Sequence, residues 1–309
     1  MVALRVAVVF NPTKTTRSDL AGAAAAALPD AAVTWFETTA SDPGDGAARA
    51  ALAAGCDVVV AAGGDGTVRA VAEALAGTST PMAIVPSGTG NLFARNIGVP
   101  LGDAKAALAR IVSADPRPMD VGRVAVTDPA GMPERAFVVM VGFGLDAHML
   151  AETDERLKSR AGWLAYMEAI GRALSASEVL TATVAVDDGA AQQIEAHTLM
   201  VGNCGTLQAG MQLLPDAAPD DGALDMLVAS SQGPLQWLDT LKSVMWDNGV
   251  MRLFDRDKKA TSSGTVGHRQ LRSIAVTLPE PRAFEIDGEE VGPVQAFQCR
   301  VDPAALLVY

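Results

Sequence analysis

A strand, a glycine-rich turn and a helix follow one another between residues 57 and 75, and this arrangement restricts the fold more than any other part of the chain. The apolar run 58–62 is typical of a buried strand, and Gly-Gly-Asp-Gly follows it directly. Glycine has no Cβ, so such a turn lets an anion approach main-chain N–H groups at the positive end of the next helix. The pattern predicts a phosphate cradle built by Gly63, Gly64 and Gly66.

Asp65 is the unusual residue of this turn. A carboxylate repels phosphate unless a Mg²⁺ ion or a fixed hydrogen-bond network lies between them. Asp65 therefore indicates phosphoryl transfer assisted by a metal such as Mg²⁺, and the whole segment indicates a kinase that uses a nucleotide. The spacing alone leaves one alternative open, a tight turn between a strand and a helix.

A second glycine loop, Pro-Ser-Gly-Thr-Gly-Asn at 86–91, follows the next apolar strand, and a helix is expected to begin at Leu92. Two such loops would line one crevice at the carboxyl ends of adjacent parallel strands, where ligands bind in open α/β sheets. The sequence contains no Gly-x-x-x-x-Gly-Lys-Ser/Thr run, which excludes the P-loop ATPases. Its glycines do not fit Gly-x-Gly-x-x-Gly, which disfavours an ordinary dinucleotide fold.

These loops and several later motifs resemble the diacylglycerol kinase catalytic family, lipid kinases that include bacterial diacylglycerol kinases and relatives of sphingosine kinase. The resemblance covers nearly the whole chain. Its motifs are Asn11-Pro12, 63–67, 86–95 with Gly98 and Pro100, 141–146, Lys158 with Gly162 and Tyr166, 220–222 with Leu224-Asp225, and 287–289. The chain departs from the family pattern at Leu92, where the family usually carries Asp, and at 14–16, where it usually carries a glycine.

Charge and hydropathy restrict the partners. The formal net charge is −12 and basic runs are scarce, so nucleic acid is not an expected partner, because its affinity depends on clustered Lys and Arg. No stretch approaches the length of a transmembrane helix. We therefore expect a cytoplasmic protein that associates peripherally with the membrane surface to reach a lipid alcohol, with homodimerisation left open. The three well-separated cysteines fit reduced thiols.

The order of elements predicts two packed domains, since 309 residues exceed the usual size of a single core. Residues 1–118 alternate strands and helices, which is typical of a Rossmann-like α/β domain with a parallel sheet. Residues 119–301 contain short strands between Gly, Asp and Pro turns, including 136–142 and 195–203, which favours an antiparallel β-sandwich. Asp-Pro-Arg-Pro at 115–118 is the predicted linker. The family resemblance implies that the first domain binds ATP, that the second binds lipid, and that 302–309 is the candidate segment to rejoin the first.

Transfer of a γ-phosphoryl group to an alcohol also needs a group that accepts the hydroxyl proton. Asp-Gly-Glu at 287–289 offers one, although Asp-Gly between apolar segments is equally a signal for a simple hairpin turn. The resemblance implies that Glu289 is the general base and that Asp287 organises the turn. With Asp65, these residues are the expected catalytic set.

A second acidic cluster lies at 220–225 and suits either a hard cation or a solvated turn. The resemblance implies a bound Mg²⁺ at Asp221 and at the main-chain oxygens of Ala218 and Ala223. This ion would hold the domain in shape or tether the two domains.

Positions at strand ends and the resemblance together predict the nucleotide contacts. These are Asn11, Pro12, Thr39, Gly63, Gly64, Asp65, Gly66, Thr67, Gly88, Thr89 and Asn91. Arg95 and Lys158 are the candidate basic contacts to phosphate or headgroup, with surface salt bridges as the alternative. Apolar helical stripes at 160–174 and 235–254 indicate either core packing or a lipid wall.

Together these features predict an ATP-dependent lipid kinase that phosphorylates diacylglycerol or a related lipid alcohol. One alternative is an NAD kinase, because that family also uses Gly-Gly-Asp-Gly. The other is a catalytically inactive nucleotide- or lipid-sensing module, because Leu92 breaks the usual motif.

Overall fold

The computed structural model describes residues 3–127, 132–144, 179–207, 212–230 and 266–309. The predicted helices at 160–174 and 235–254 lie outside these residues, and so do positions 145–146, Lys158, Gly162 and Tyr166 of the predicted family motifs. Among the described helices, none has the length and apolar character needed to cross a bilayer.

The N-terminal part alternates strands and helices as predicted. Its elements are β1 Arg5–Phe10, α1 Arg17–Ala27, β2 Ala32–Glu37, α2 Asp45–Ala53, β3 Val58–Gly63, α3 Asp65–Leu75, β4 Met82–Pro86, α4 Leu92–Asn96 and α5 Ala104–Ser113. The four strands are parallel in the order β4-β3-β1-β2. All six residues of β3 are buried, and since side chains alternate along a strand, both faces of the sheet are covered here.

The C-terminal part is antiparallel. Its strands are β5 Arg117–Thr127, β6 Arg135–Phe137, β7 Met140–Phe143, β8 Leu180–Val186, β9 Gln192–Ala196, β10 Thr198–Gly202, β11 Leu224–Ala229, β12 Val266–Leu271, β13 Ser273–Ile286 and β14 Glu289–Val308. Strands β12-β11-β10-β7-β13-β14 lie side by side, and β5 and β8 extend the pairing from β14 and β13. The predicted fold class is confirmed: a parallel sheet in the N-terminal part and antiparallel strands in the C-terminal part.

β14 joins the two parts. It pairs with β13 and β5, and its last residue, Val308, pairs in parallel with Met82 of β4. Its register with β5 shifts between Asp302 and Leu306, where Ala304 has a left-handed backbone with φ of 52°. The segment 302–309, predicted to rejoin the first domain, thus contacts its sheet.

The predicted linker at 115–118 is wrong for its second half. Arg117 and Pro118 begin β5 and lie opposite Val308 and Leu307 of β14. Proline lacks the N–H that a central strand needs, but the second partner of β5, strand β6, pairs only with residues 122–124. Pro118 therefore lies where β5 is an edge strand.

The predicted strands at 136–142 and 195–203 are each divided in two. β6 pairs with β5, whereas β7 pairs with β10 and β13. In the same way β9 pairs with β8, while β10 pairs with β7 and β11. The chain changes partner strands at both breaks, and such a change depends on residues far away in the sequence.

Two buried apolar clusters support this architecture. One is centred on the N-terminal part, includes Leu306 and Val308 of β14, and extends into the C-terminal part at residues such as Val139 and Met200. The other lies among the antiparallel strands, where the rings of Phe284 and Phe297 are 4.7 Å apart. Because β14 contributes to both clusters, the two parts share a strand as well as a sheet.

Candidate active site

The two glycine loops meet at the carboxyl ends of β3 and β4. Gly63 lies opposite Pro86, and the N–H of Ser87 donates to the Gly63 carbonyl at 2.8 Å. A Cβ on Gly88 would lie only 2.6 Å from the Cα of Gly64, so a side chain there would collide with backbone. The structure thus brings together the two loops that the sequence predicts to line one crevice.

Asp65 fastens the two loops to each other. Its carboxylate accepts hydrogen bonds from the main-chain N–H groups of Asn91 at 2.8 Å and Leu92 at 2.6 Å. Burial raises the pKa of Asp65, and the N–H groups of Leu92 and Asn91 act in the opposite direction. The fixed hydrogen-bond network that a carboxylate beside phosphate requires is therefore present.

Asn91 closes the second loop on itself. Its side-chain oxygen accepts from the Gly88 N–H at 2.9 Å, and its amide group donates to the Gly88 carbonyl at 2.8 Å. Its backbone is left-handed, with φ of 49°, a conformation that asparagine tolerates better than most residues. Thr89 is exposed at the tip of this loop.

Helix α3 begins directly at the first glycine loop. The first N–H groups of any helix have no partner within the helix, and at α3 these belong to the residues from Gly64 to Thr67. Gly66 is exposed, while Thr67 is buried against Gly63. This geometry suits the binding of phosphate oxygens.

The loops that follow β1 and β2 are held by their own polar side chains. The Asn11 side-chain oxygen accepts from the N–H and the hydroxyl of Thr13 at 2.9 and 2.8 Å. The Thr39 hydroxyl accepts from the N–H of Asp42 at 3.1 Å. Pro12 and Thr39 are exposed at this same edge of the sheet. The polar atoms here shape the loops.

The hairpin between β13 and β14 is the turn that Asp-Gly predicts. Asp287 and Gly288 both have positive φ, 51° and 80°, as a two-residue hairpin loop requires. The Asp287 carboxylate is buried and accepts three main-chain hydrogen bonds at 2.9 Å, from Val138, Val139 and Met140. It therefore anchors the break between β6 and β7 as well as the turn.

Burial raises the pKa of Asp287 to about 6. The N–H of Val138 and the positive charge of Arg69 oppose this shift. Asp287 is thus a buried carboxyl group surrounded by donors.

Glu289 begins β14 and forms an ion pair with Arg69 of α3. Arg69 lies four residues beyond Asp65, a rise of about 6 Å along the helix axis. The ion pair therefore holds Glu289 next to the first turns of the helix that begins at the glycine loop.

Arg69 was missed from the sequence. The available signal was a single arginine among the small and apolar residues of 68–72. Its partner is 220 positions away in the chain, which no local pattern reveals.

Arg95 lies beside the second loop. It is exposed, and its Nε donates to the Gly90 carbonyl at 2.7 Å. Its charge is one of the contributions that lower the pKa of Asp65 against the larger effect of burial. Arg95 is therefore in place to contact an anion at this loop.

The predicted metal residue Asp221 lies in a group of carboxylates. It accepts from the Ala223 N–H at 3.0 Å and from the Gln270 side chain at 2.8 Å. Burial, together with the negative charges of Asp120 and Asp220, raises its pKa. Ala218 lies in the same loop.

Asp225 is the buried member of this group. Burial raises its pKa to about 7, with the charges of Asp221 and Asp216 adding to the effect. Its Oδ2 is buried and has no hydrogen-bond partner among the described residues. A buried carboxylate oxygen beside two further carboxylates fits a cation, although the described residues contain no ready-made cluster of three metal-ligating side chains.

Asp120 organises this acidic loop and was also missed. It is buried, and its carboxylate accepts from the N–H groups of Gly222 at 2.6 Å and Ala304 at 2.7 Å. The acidic loop is thereby tied to the irregular point of β14.

A second link between the two parts runs through Asn96, at the end of α4. Its amide group donates to the Thr206 carbonyl at 2.8 Å, and its oxygen accepts from the Thr206 N–H at 3.0 Å. The same amide group donates to the Leu92 carbonyl at 2.8 Å. The second glycine loop is therefore connected to the segment that follows β10.

Comparison with known proteins agrees with this geometry. The family model of the diacylglycerol kinase catalytic domain matches residues 5–124, and that of the YegS C-terminal NAD kinase beta sandwich-like domain matches residues 139–309. The chain belongs to this lipid kinase family. The resemblance drawn from the motifs is confirmed, and the family makes the chain a phosphotransferase of the kinase class.

Two bacterial relatives carry names that agree with this family. The chain is 34% identical over 264 residues to a Pseudomonas putida protein named "Probable lipid kinase YegS-like", covering 83% of this chain and 78% of that protein. It is 30% identical over 260 residues to the diacylglycerol kinase of Mycobacterium tuberculosis, covering 84% and 78%. It is also 30% identical over 241 residues to an uncharacterized protein of Synechocystis. This match covers 77% of this chain but only about half, 51%, of that protein.

Solved structures give the same fold. A crystal structure of a candidate diacylglycerol kinase from Bacillus anthracis has a TM-score of 0.72 at 25% identity, covering 98% of this chain and 96% of that chain. A yeast NADH kinase has a TM-score of 0.52 at 10% identity, covering 100% and 83%, which is a likeness of fold alone.

Proposed function

We propose that the chain transfers the γ-phosphoryl group of ATP, with Mg²⁺, to the hydroxyl group of diacylglycerol or a related lipid alcohol. The observation that carries the proposal is the ion pair between Glu289 and Arg69. It holds an exposed carboxylate next to the helix that begins at the glycine loops. A phosphate site and a proton acceptor facing each other are the parts that phosphoryl transfer to an alcohol requires.

In this proposal the main chain binds the triphosphate. The N–H groups from Gly64 to Thr67 face its oxygens, and the loop at Gly88 and Thr89 lies against them from the adjacent strand. Asp65 and Asn91 act chiefly by holding the two loops in shape, since their polar atoms bind main-chain groups. Asn11, Pro12 and Thr39 border the same crevice, and Arg95 supplies a positive charge beside it.

Glu289 would act as the general base. Its side chain is 60% exposed, so a substrate hydroxyl can approach it. As the alcohol oxygen attacks the γ-phosphorus, the carboxylate takes the hydroxyl proton, the bond between the γ-phosphorus and the bridging oxygen breaks, and ADP leaves. Asp287 fixes the backbone from which this carboxylate projects.

Mg²⁺ would neutralise charge on the β- and γ-phosphoryl oxygens. Asp65 is the carboxylate of the first glycine loop, and its two oxygens have about four lone-pair sites, more than the hydrogen bonds they accept from the main chain. A second Mg²⁺ would be held by Asp221 with the main-chain oxygens of Ala218 and Ala223. The unpaired oxygen of Asp225 supports a cation at that loop.

We further propose that residues 1–118 with 302–309 form the ATP domain and that 119–301 form the lipid domain. The pairing of Val308 with Met82 supports the return of the chain to the first domain. Because lipid alcohols reside in bilayers, the protein would act in the cytoplasm and associate peripherally with the membrane during turnover.

The test measures transfer of radiolabelled phosphate from ATP to a panel of lipid alcohols in mixed micelles. We expect the wild-type protein to phosphorylate at least one of them, and Glu289→Gln and Asp65→Ala to lose most of the activity while remaining folded. Full turnover by Glu289→Gln would reject the proposed base. Labelling of NAD instead of lipid would favour an NAD kinase, and ATP binding without any turnover would favour a sensing module.

A further inference from the structure

Arg69 is an unusual partner for an exposed carboxylate. Its side chain is 2% exposed, whereas that of Glu289 is 60% exposed. Its Nη2 donates to Glu289, while its Nε and Nη1 are buried and have no hydrogen-bond partner among the described residues. Among the described residues, this buried positive charge thus has one hydrogen-bond acceptor, the largely exposed Glu289, and one nearby buried carboxylate, Asp287.

Such an arrangement stabilises the fold weakly. Burial of a charged group is unfavourable unless the pairing and hydrogen bonding are complete, and no residue that the structure describes accepts from two of these donors. An ion pair with an exposed partner gains little, because water screens it. If Arg69 were replaced by an apolar side chain of similar length, the carboxylate of Glu289 would simply turn into solvent.

The neighbouring groups direct the guanidinium toward the hairpin. Asp287 lies next to Glu289 across the turn, and the charge of Arg69 is one of the contributions that lower its pKa. Three main-chain hydrogen bonds hold the Asp287 carboxylate itself in place. The backbone at Glu289 is therefore fixed, and what remains free is the rotation of its side chain.

Resting on the function proposed above, we propose that Arg69 is the positioning residue for Glu289. Arg69 projects from α3, whose N-terminus forms the glycine loop, so its guanidinium places the carboxylate at a set distance from the proposed phosphate site. A general base must lie within hydrogen-bond reach of the proton that it removes. Arg69 acts through Glu289 and, being buried, does not touch the substrate.

The decisive variant is Arg69→Met, which keeps the length of the side chain and removes the donors. We expect kcat for lipid phosphorylation to fall by about 10²-fold, the size of effect produced by a misplaced reacting group, while KM for ATP stays within about twofold. Arg69→Lys keeps the charge and should retain more activity than Arg69→Met. The thermal unfolding midpoint should change by no more than a few degrees, since the pair contributes little stability.

Arg135→Met is the matched control. Arg135 begins β6 and pairs at 3.6 Å with Glu73, which lies in α3 as Arg69 does. Arg135→Met therefore removes an ion pair of α3 and leaves the hairpin unchanged. We expect kcat to remain at the wild-type value in this variant.

The double variant separates a positioning role from a merely structural one. In a Glu289→Gln background, Arg69→Met should cause no further loss of kcat, because the group that it positions is already gone. Equal losses in both backgrounds would overturn the proposal, and so would wild-type kcat in Arg69→Met. If Arg69→Met fails to fold, Arg69→Gln carries the test, because it removes the charge and keeps a polar side chain: a reduced kcat supports the role, and a wild-type kcat refutes it.

These outcomes differ from a failure of the proposed function. If wild-type protein phosphorylates no lipid, the lipid kinase itself is rejected. If wild-type protein is active, Glu289→Gln is inactive and Arg69→Met is fully active, only the role of Arg69 is rejected.

Discussion

The glycine loops of the N-terminal part and the acidic segments of the C-terminal part face a ligand in opposite ways. In the loops, the side chains of Asp65 and Asn91 bind the main chain, and the first N–H groups of α3, which have no partner within the helix, lie beside them. In the C-terminal part, Asp287 and Asp120 bind the main chain, and the carboxylates of Glu289 and Asp225 are left for other partners. One part offers donors for anions, and the other offers acceptors for protons and cations.

Both parts use the same kind of contact, a carboxylate that accepts main-chain hydrogen bonds. A carboxylate that accepts several main-chain hydrogen bonds fixes the local backbone, and a group assigned to the ligand in the proposed function lies beside that backbone. Glu289 is two residues from Asp287, and Asp225 is three residues from Gly222, whose N–H binds Asp120. Ligand-binding groups therefore need not be the most buried or the most strongly bonded ones. Substitutions in each part should consequently have different signatures.

The largest effect is expected from Glu289→Gln, which removes the acceptor and keeps the shape. Because general-base catalysis contributes about 10²- to 10⁴-fold, kcat for lipid phosphorylation should fall by that factor. ATP binding, measured by calorimetry, should remain within about twofold, since the proposed nucleotide site is the main chain of the other part.

Glu290→Gln is the control for this substitution, because Glu290 is the exposed neighbour of Glu289. It should keep wild-type kcat. If Glu289→Gln lost as much ATP affinity as kcat, this would contradict the assignment of nucleotide binding to one part and of the proton acceptor to the other.

The next largest effect concerns Asp225, whose pKa burial raises to about 7. Its folded pKa lies above the unfolded value of about 4, so it stabilises the protein at low pH, and that contribution is lost as pH rises from about 4 to about 7. In metal-free protein, Asp225→Asn should therefore flatten the pH dependence of the unfolding free energy over this range. At pH 8 the variant should be more stable than wild type, by at most about 4 kcal/mol.

Mg²⁺ sharpens this prediction. If the acidic loop holds a cation, added Mg²⁺ should raise the unfolding midpoint of the wild-type protein at pH 8 and have less effect on Asp225→Asn. Equal effects on both proteins would argue against a cation beside Asp225.

Gly88→Ala tests whether the contact between the two glycine loops positions their main-chain N–H groups for ATP. Its Cβ would lie 2.6 Å from the Cα of Gly64, so the two loops must separate. We expect the unfolding free energy to fall by about 1–3 kcal/mol, as for other overpacked sites. The dissociation constant of ATP should rise by about tenfold, because misplaced N–H groups bind phosphate poorly.

Gly22→Ala is the matched glycine control, since Gly22 lies in α1 and a Cβ there meets nothing within 4 Å. It should bind ATP normally and be stabilised by about 0.5–1 kcal/mol. Normal ATP binding by Gly88→Ala would show that the contact between the loops is dispensable.

The smallest effect is expected from Asn96→Ala, which removes the two hydrogen bonds to Thr206. Loss of these bonds should reduce the unfolding free energy by about 1–2 kcal/mol. In lipid kinase assays, kcat should change less than in Glu289→Gln, since no group facing the ligand is altered. A larger change in kcat would show that the two parts depend on each other through α4.

The sequence predicted most reliably what a short segment determines by itself. The strand before Gly63, the loop at Gly88 and the Asp-Gly hairpin follow from local chemistry, namely the absence of a Cβ and positive φ. The contact between the two glycine loops follows from the rule that the carboxyl ends of neighbouring parallel strands share one edge of the sheet.

Features that depend on distant partners were missed or wrong. Arg69 and Asp120 act through residues far along the chain, and the strands predicted at 136–142 and 195–203 divide where the partner strand changes. From the local sequence, Pro118 predicts an interruption of secondary structure. It nevertheless fits β5, because at this position the strand pairs with β14 on one side and β6 does not reach it on the other. Burial, pairing and edge position are properties of the assembled sheet.

The length of β14 has a mechanical consequence. One continuous strand begins at Glu289 and pairs with the parallel sheet at Val308. Ala304, with its left-handed backbone, lies between these two residues. Asp120 binds the N–H of Ala304 and so restrains this irregular point of the strand. The same carboxylate accepts from the Gly222 N–H, so a cation bound at the acidic loop would stiffen the strand that carries the proposed general base.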